Sequence, residues 1–511
     1  MFRKLLLGAC LLVPSIANAE WHVAGSKHFV VYSDDSEERI RTFTERLERF
    51  DQALRYITGT PDKPISPSAR VTVFQVADVS AIQKLYGSNT VAGFFQSRSS
   101  GSVAFVPRST SGPLDAQTIL LHEYGHNFMY SSWPSVVFPP WFSEGFAEFV
   151  GTAVFRSDGT LMLGKNPEYR SFGIDKSNYL SAQELVRTKQ GKLDRYQTET
   201  LYARGWLLTH YLLMDKKRAV LLGNYIAAIN SGKSAEEATK ELGDLRTLDG
   251  RLNSYYKSAT IATIMLPKDV TPPGPVTVRG ISAGEAATMP ARVLSSRGVD
   301  MKSAPGVAEL ARRLAAPYPN DAGAQNELAE AEFDAKNYEA SDAAATRALA
   351  ADPASVHAML YKGMAQMELA RKAGSTDPAR WKEVRSWFLK ANKAETEYAE
   401  PLILFFDSFA AAKQKPIKSA ENGLLYAYML APYDPEVRLE AGQLLLEMGE
   451  QKAARAAYEP IAYSPHTSPA SDFANRILDA LDANGTEGAL KVISDAAAKA
   501  KAGAGDAKKS G

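Results

Sequence analysis

His122 and His126 stand four positions apart, with Glu123, Tyr124 and Gly125 between them. On a helix, positions i and i+4 share a face at roughly 6 Å between Cβ atoms, so both imidazoles can reach one tetrahedral ion. That spacing is a zinc-ligand pair. Glu123 lies one residue past the first ligand, where a carboxylate can meet metal-bound water and take its proton. The plain alternative is a helix whose histidines are merely packed or exposed. The surroundings favour the first reading. Asp115 can cap a helix after Gly112 and Pro113, and Ile119, Leu120, Tyr124 and Phe128 set an apolar stripe beside the histidines. Gly125 costs about 1 kcal/mol there relative to alanine, which predicts a closely packed neighbour at that turn.

An open zinc site keeps three protein ligands and leaves the fourth position to water. Glu144 is the candidate third ligand. It lies in a second helical pattern, Trp141 to Phe149, opened by Pro139 and Pro140, which suit a first helical turn. Residues 127 to 143 give enough chain for the first helix to end and the second to return beside it. Glu144 and Glu148 then share one face, so one carboxylate can bind the metal while the other accepts the free ring N–H of a ligating histidine. A solvated acidic face is the alternative for this pair.

The run from His122 to His126, followed by Trp141, Phe142, Ser143, Glu144, Gly145, Phe146, Ala147, Glu148 and Phe149, resembles the gluzincins, zinc metallopeptidases whose third ligand is a glutamate on the next helix. The closest pattern is the aminopeptidase N type, with its Trp-Leu-x-Glu-Gly-Phe-Ala run. The 17-residue spacer here is slightly shorter than that family's. The resemblance implies a thermolysin-like metallopeptidase domain with Zn2+ held by His122, His126 and Glu144, Glu123 as base and Glu148 as the acceptor behind the ligands. Tyr202, in Tyr202, Ala203, Arg204, Gly205, is similar to the family's catalytic tyrosine, which would donate its hydroxyl to an oxyanion. It also reads simply as core on a helix continuing through Trp206, Leu207, Leu208, His210, Tyr211 and Leu212. His210 is the next residue to consider for that role.

One departure bears on the reaction. The Gly-x-Met-Glu-Asn segment that holds a substrate's amino terminus is not found. Val91 to Phe95 and Ser102 to Val106 read there as strands, and an edge strand beside the zinc would bind an extended peptide by backbone pairing. This favours internal cleavage over amino-terminal trimming and looks most like the loosely defined peptidase-MA-like group.

Composition narrows the setting. The segment Met1 to Ala19 has Arg3 and Lys4, an apolar run from Leu5 to Val13, then Ala17, Asn18 and Ala19, as a signal for export would. Its removal takes two of 59 basic residues, leaving 57 against 58 acidic ones, a net charge of −1 that favours neither nucleic acid nor anionic membranes. The one cysteine, Cys10, falls within the signal. A lipoprotein reading at Cys10 leaves an apolar stretch of only about five residues, short of the usual 7 to 15. No later run approaches the roughly 18 apolar residues of a membrane span. An exported, periplasmic protein is expected.

Strands are expected at His28 to Tyr32 and Val71 to Gln75, with a helix between them through Ile40, Phe43, Leu47, Phe50 and Leu54. Later helices are expected at about 197 to 215, 218 to 230 and 234 to 257. Strands first and helices later suit an α+β domain over 20–260. Residues 261–302, with Pro272, Pro273 and Pro275, read as a Pro/Gly-rich linker. Over 303–485 prolines recur at 319, 353, 401 and 435, and the 34-residue interval is that of the tetratricopeptide repeat, with an insertion near Ala373 to Arg380. An all-α repeat domain with a concave partner surface is expected, then a disordered Ala/Lys/Gly-rich tail over 486–511.

Two functions from different classes follow. One is an exported zinc endopeptidase whose repeats bind a partner or the peptide or protein substrate. The other is a non-catalytic, zinc-stabilised scaffold acting through its repeats. An intact Glu123 favours catalysis, since a structural zinc site needs no base. An aminopeptidase is a third reading, weakened by the missing amine-holding segment.

Overall fold

A computed structural model of the chain describes residues 20–89, 91–108, 116–188, 193–258, 261–464 and 468–507. The expected signal, Cys10 and the Asp115 cap lie outside these residues.

Among the described residues, nine short strands form two sheets. They are β1 (His22–Gly25), β2 (Phe29–Ser33), β3 (Val71–Val76), β4 (Phe94–Gln96), β5 (Val103–Pro107), β6 (Val154–Phe155), β7 (Leu161–Leu163), β8 (Ile264–Leu266) and β9 (Thr277–Gly280). The larger sheet has the order β4-β5-β3-β2-β1-β9 and the smaller β6-β7-β8. Within the larger, β2, β3 and β5 run parallel, and the outer pairs are antiparallel.

The central strands are apolar on both faces, as a sheet covered on both sides requires. Phe29, Val31, Val71, Val73, Ala104 and Val106 face one core, which they share with α1 (Glu37–Thr58). Tyr32, Phe74, Val103 and Phe105 face another, which Ile82 and Leu85 of α2 (Val79–Tyr86) enter. Helices α3 (Ala116–Ser132) and α4 (Pro140–Gly151) join the first core. After the short α5 (Ser171–Ile174) and α6 (Ala182–Arg187), the long α7 (Arg195–Leu213) crosses α4. Gly145 and Gly205 make that crossing. A Cβ on Gly205 would stand 2.6 Å from the Trp141 carbonyl oxygen, and one on Gly145 would collide with the Gly205 carbonyl. Helix α8 (Lys216–Asn230) follows, and the helix expected from 234 to 257 is interrupted. Gly243, at φ +82°, separates α9 (Ala235–Ala238) from α10 (Leu248–Tyr256).

The expected linker is part of the fold. Strand β9 pairs with β1, Thr277 opposite Gly25 and Gly280 opposite His22. Arg41 donates to the Val276 carbonyl at 2.6 Å, and Arg49 to the Thr271 carbonyl at 3.2 Å. The next helix, α11 (Ala283–Arg297), sets Met289 into the core on the second face of the sheet. The proline cluster hides a strand because only four residues pair.

From α11 onward the chain is a helical array: α12 (Ala304–Ala315), α13 (Ala322–Asp334), α14 (Tyr338–Ala351), α15 (Val356–Lys372), α16 (Pro378–Ala394), α17 (Ala399–Ala411), α18 (Lys418–Leu430), α19 (Pro435–Glu447), α20 (Gln451–Ala462) and α21 (Pro469–Ala507). The expected insertion lengthens α15 and α16 to 17 residues each. The segment expected as a disordered tail continues α21 as far as Ala507, past a break at Gly485. The array rests against the sheet domain. Ser68 N–H donates to Glu395 at 2.7 Å, Ser99 N–H to Asp434 at 2.7 Å, and Arg438 to the Pro134 carbonyl at 2.6 Å.

The thermolysin-like α+β expectation is corrected by this architecture. Helices dominate, the sheet portion is small, and its strands are three to six residues in the larger sheet.

A chain ending at 260 would lack β9 and α11 and leave Phe74 and Phe105 without the Met289 cover. It is expected to melt without cooperativity and to bind a hydrophobic dye, whereas residues 20–507 melt as one folded body. A sharp thermal transition from the 20–260 fragment would show that the sheet needs neither element.

Candidate metal centre

Helices α3 and α4 approach through Gly125, as its presence in a helix predicted. A Cβ there would lie 2.9 Å from Val150 Cγ2 and 3.4 Å from Ala147 Cα. This contact sets three side-chain atoms together. His122 Nε2 and His126 Nε2 are 3.2 Å apart, and Glu144 Oε2 is 3.3 Å from the first and 3.5 Å from the second. Ligand atoms about 2.0–2.1 Å from a tetrahedral zinc stand about 3.3 Å from one another. The triangle already has that edge, so these residues fit a zinc ion without rearrangement.

Glu144 is fully buried. Burial works against its charge, but His126 and His122 outweigh it and hold the carboxyl well below its ordinary range. Burial likewise opposes a charged His122, and Glu144, Glu148 and Glu123 overcome it to raise the imidazole to about 9. Without metal, then, a proton does part of the work that a cation would do.

Glu123 and Tyr202 line one cavity of about 600 Å3 beside His122, with Ile119, Tyr169 and Arg170 on its wall. The Tyr202 ring lies 6.3 Å from the His122 ring, with the Arg170 guanidinium 4.5 Å from its centre. Its hydroxyl pKa is raised by burial first and by Glu144 next.

Glu148 departs from expectation. Its Oε1 is 3.7 Å from His122 Nδ1, too far for a hydrogen bond. Its oxygens instead accept from the Tyr169 hydroxyl at 2.6 Å and from Arg170 at 2.9 and 2.8 Å. The residue facing the other histidine is Ser143, whose Oγ is 3.4 Å from His126 Nδ1. Sequence reasoning missed Ser143, Tyr169 and Arg170. Ser143 adjoins Glu144, but the other two come from a connection with no periodic signal. His210 is not in the cavity wall. Its ring is engaged by the Tyr255 hydroxyl at 2.8 Å and the Ala262 carbonyl at 2.9 Å.

A second group of His28, Asp51 and Asp62 also brings three ligand atoms together. It fits a metal poorly, because Arg55 meets Asp51 at 2.6 Å and Lys27 meets Asp62 at 2.5 Å, supplying positive charge already. His28 Nδ1 lies 2.8 Å from Glu48, and Tyr124 donates to Asp51 at 2.7 Å. This network fastens α3 to α1 directly behind the histidines. Strand β4 is the sheet edge expected to pair with a substrate, yet it spans three residues and runs into the turn that contacts the array. Among the described residues no helix is long and apolar enough to cross a membrane.

No family model matches this chain, and no curated protein does. Solved structures that it matches include a thermophilic TPR protein of Thermus thermophilus, 18% identical over 38% of this chain and 99% of that one, TM-score 0.32. PilF of Pseudomonas aeruginosa is 20% identical over 41% and 88%, TM-score 0.32. A MamA RS-1 double mutant is 14% identical over 34% and 92%, TM-score 0.26. The expectation of a gluzincin, and with it of an enzyme hydrolysing peptide bonds, is corrected: one of these three structures is described as a TPR protein and none of the three as a peptidase. The matching residues form a local cluster on two helices, which a motif of this length cannot extend into a family.

Asp51 is fully buried and serves both Arg55 and Tyr124. Breaking a buried pair costs about 3–5 kcal/mol, so Asp51→Asn is expected to lower the unfolding free energy by about that much in a denaturant titration. Arg39→Gln, which breaks an exposed pair with Asp35, is the comparison and should cost below about 1 kcal/mol. Equal losses from the two would show that the network does not brace α3.

Proposed function

We propose that this chain is an exported protein-interaction scaffold, a helical-repeat array that binds protein partners and is mounted on a mixed-sheet domain braced by one zinc ion. The observation that carries the reading is the array itself. Helix pairs stack from α11 to α21, and three odd-numbered helices turn polar side chains toward one wall: Glu330 on α13, His357 and Tyr361 on α15, and Glu400 on α17. Stacks of this kind offer an extended surface to peptides and proteins.

Zinc in this reading is held by His122, His126 and Glu144. When bound, it would supply the positive charge that Glu144 otherwise draws from protonated imidazole, and it would tie α3 to α4. Elemental analysis is expected to find about one zinc per chain, the number one such site holds, and His126→Ala should lose it. Zinc retained equally by both proteins would reject the ligand set. Because His122 titrates near 9 without metal, binding at pH 7 must displace its proton. Affinity should therefore fall as pH drops below that value, and calorimetry in buffers of different ionisation enthalpy should show about one proton released per zinc.

A displayed peptide library panned on the immobilised full chain tests the scaffold reading. Saturable binders are expected, with affinities unchanged by Glu123→Gln and by chelation below the melting temperature. Failure to recover any binder, or cleavage of binders that Glu123→Gln abolishes, would overturn it.

A further inference from the structure

Arg438, on α19, is 2% exposed, yet its hydrogen-bond partners are all neutral oxygens. Its Nε donates to the Pro432 carbonyl, Nη1 to the Tyr428 hydroxyl at 3.3 Å and the Ala457 carbonyl at 3.4 Å, and Nη2 to the Pro134 carbonyl at 2.6 Å. A guanidinium carries five N–H donors, so these four bonds leave one Nη2 hydrogen over. Asp434, one turn earlier at the start of the helix, is taken up by the Ser99 and Glu436 N–H groups. Burial lowers the Arg438 pKa, and the groups acting on its charge are the Tyr428 and Tyr130 hydroxyls, with no carboxylate among them. Arg204, also sealed from water, meets Asp249 instead. A buried cation without an opposite charge is costly to keep.

The same guanidinium lines a cavity of about 140 Å3 where the end of α3 meets the array. Buried Pro432, Pro460 and Ile461 supply an apolar lining, and half-buried Tyr130 and Tyr433 complete it. A cavity of about 150 Å3 takes one benzene ring, so this space suits a body of that size. One buried cation at an apolar wall selects among ligands by charge and by shape. A neutral ring would leave the guanidinium as it is. A phosphate or sulfate would ask for more donors than one spare N–H and would set its charge against proline and isoleucine.

We infer that this cavity is a binding site for a small organic acid, with a single carboxylate against Arg438 and an apolar body of about one ring among the prolines and Ile461. Because Tyr130 belongs to the sheet domain and Arg438 to the array, the ligand would touch both and raise the melting temperature by mass action. It would bind whether or not the array also holds a protein partner.

The probe is para-fluorobenzoate, titrated into the full chain with chelator present, so that its carboxylate cannot report on metal, and followed by fluorine NMR and calorimetry. Its twin is para-fluorobenzyl alcohol, which keeps the ring and drops the charge. The acid should bind saturably and about 10-fold more tightly than the alcohol, the worth of one charge-assisted hydrogen bond. Inorganic phosphate at the same concentration should not displace it. Arg438→Met removes the charge at similar length and should bring acid and alcohol level. If circular dichroism shows that this variant does not fold, Ile461→Phe is read in its place: it keeps the guanidinium, narrows the apolar end and should weaken the acid about 10-fold. Absence of saturable binding, equal affinity of the wild type for the twins, displacement by phosphate, or an acid affinity that the variant leaves unmoved overturns the site. The scaffold reading, tested by the peptide library, stands or falls separately.

Discussion

A carboxylate sealed from water between two imidazoles is the constraint on which the sheet domain depends. Taking Glu144 to full burial is costly unless charge of the opposite sign lies within contact distance. His122 and His126 can supply it only if α3 and α4 hold their spacing to a few tenths of an ångström. Gly125 permits the approach, and Gly145 against Gly205 fixes α4 upon α7. Behind α3, Tyr124 is bonded to Asp51, and Asp51 to Arg55. Each layer therefore limits the freedom of the one in front, and the polar triangle is held by apolar contacts at its sides and an ionic network at its back.

Much of this centre was legible because its signals are local. Two histidines four apart on a helix share a face whatever follows, and Glu144 required only that a second helix return. Gly125 announced a close neighbour without naming it. Helical spacing placed Glu148 beside His122, at 3.7 Å from its Nδ1, but could not show that Tyr169 and Arg170 would hold its carboxylate instead of a direct hydrogen bond to the ring. Asp51 and His28 stayed invisible because partners such as Tyr124 for Asp51 and Glu48 for His28 lie 73 and 20 residues off, with no repeating pattern to join them.

The larger misreading was of scale. Residues 122–148 fit a pattern that belongs to a metallopeptidase, and a local fit was extended to a whole domain. Helix packing, set by small residues at crossings, can bring the same side chains together in a different framework. The proline cluster at 272–275 was read as punctuation between domains, although Thr277–Gly280 pairs with the first strand of the chain. Four residues of strand carry too little alternation to stand out beside three prolines. The repeat period survived better, since 34-residue spacing is carried by many positions at once.

That pairing of β1 with β9 carries a kinetic consequence. The two strands are separated by about 250 residues of sequence, Gly25 lying opposite Thr277, so the edge of the sheet cannot close until the segment that leads directly into the helical array is in place. Closing so long a loop costs entropy before any contact repays it. The array, by contrast, is made of neighbours and can zip from one helix pair to the next. Folding should then run in an order opposite to chain order: α11 and its successors form a surface first, and the amino-terminal strands condense upon it. The helices usually regarded as an appended module would act as the template on which the sheet is completed.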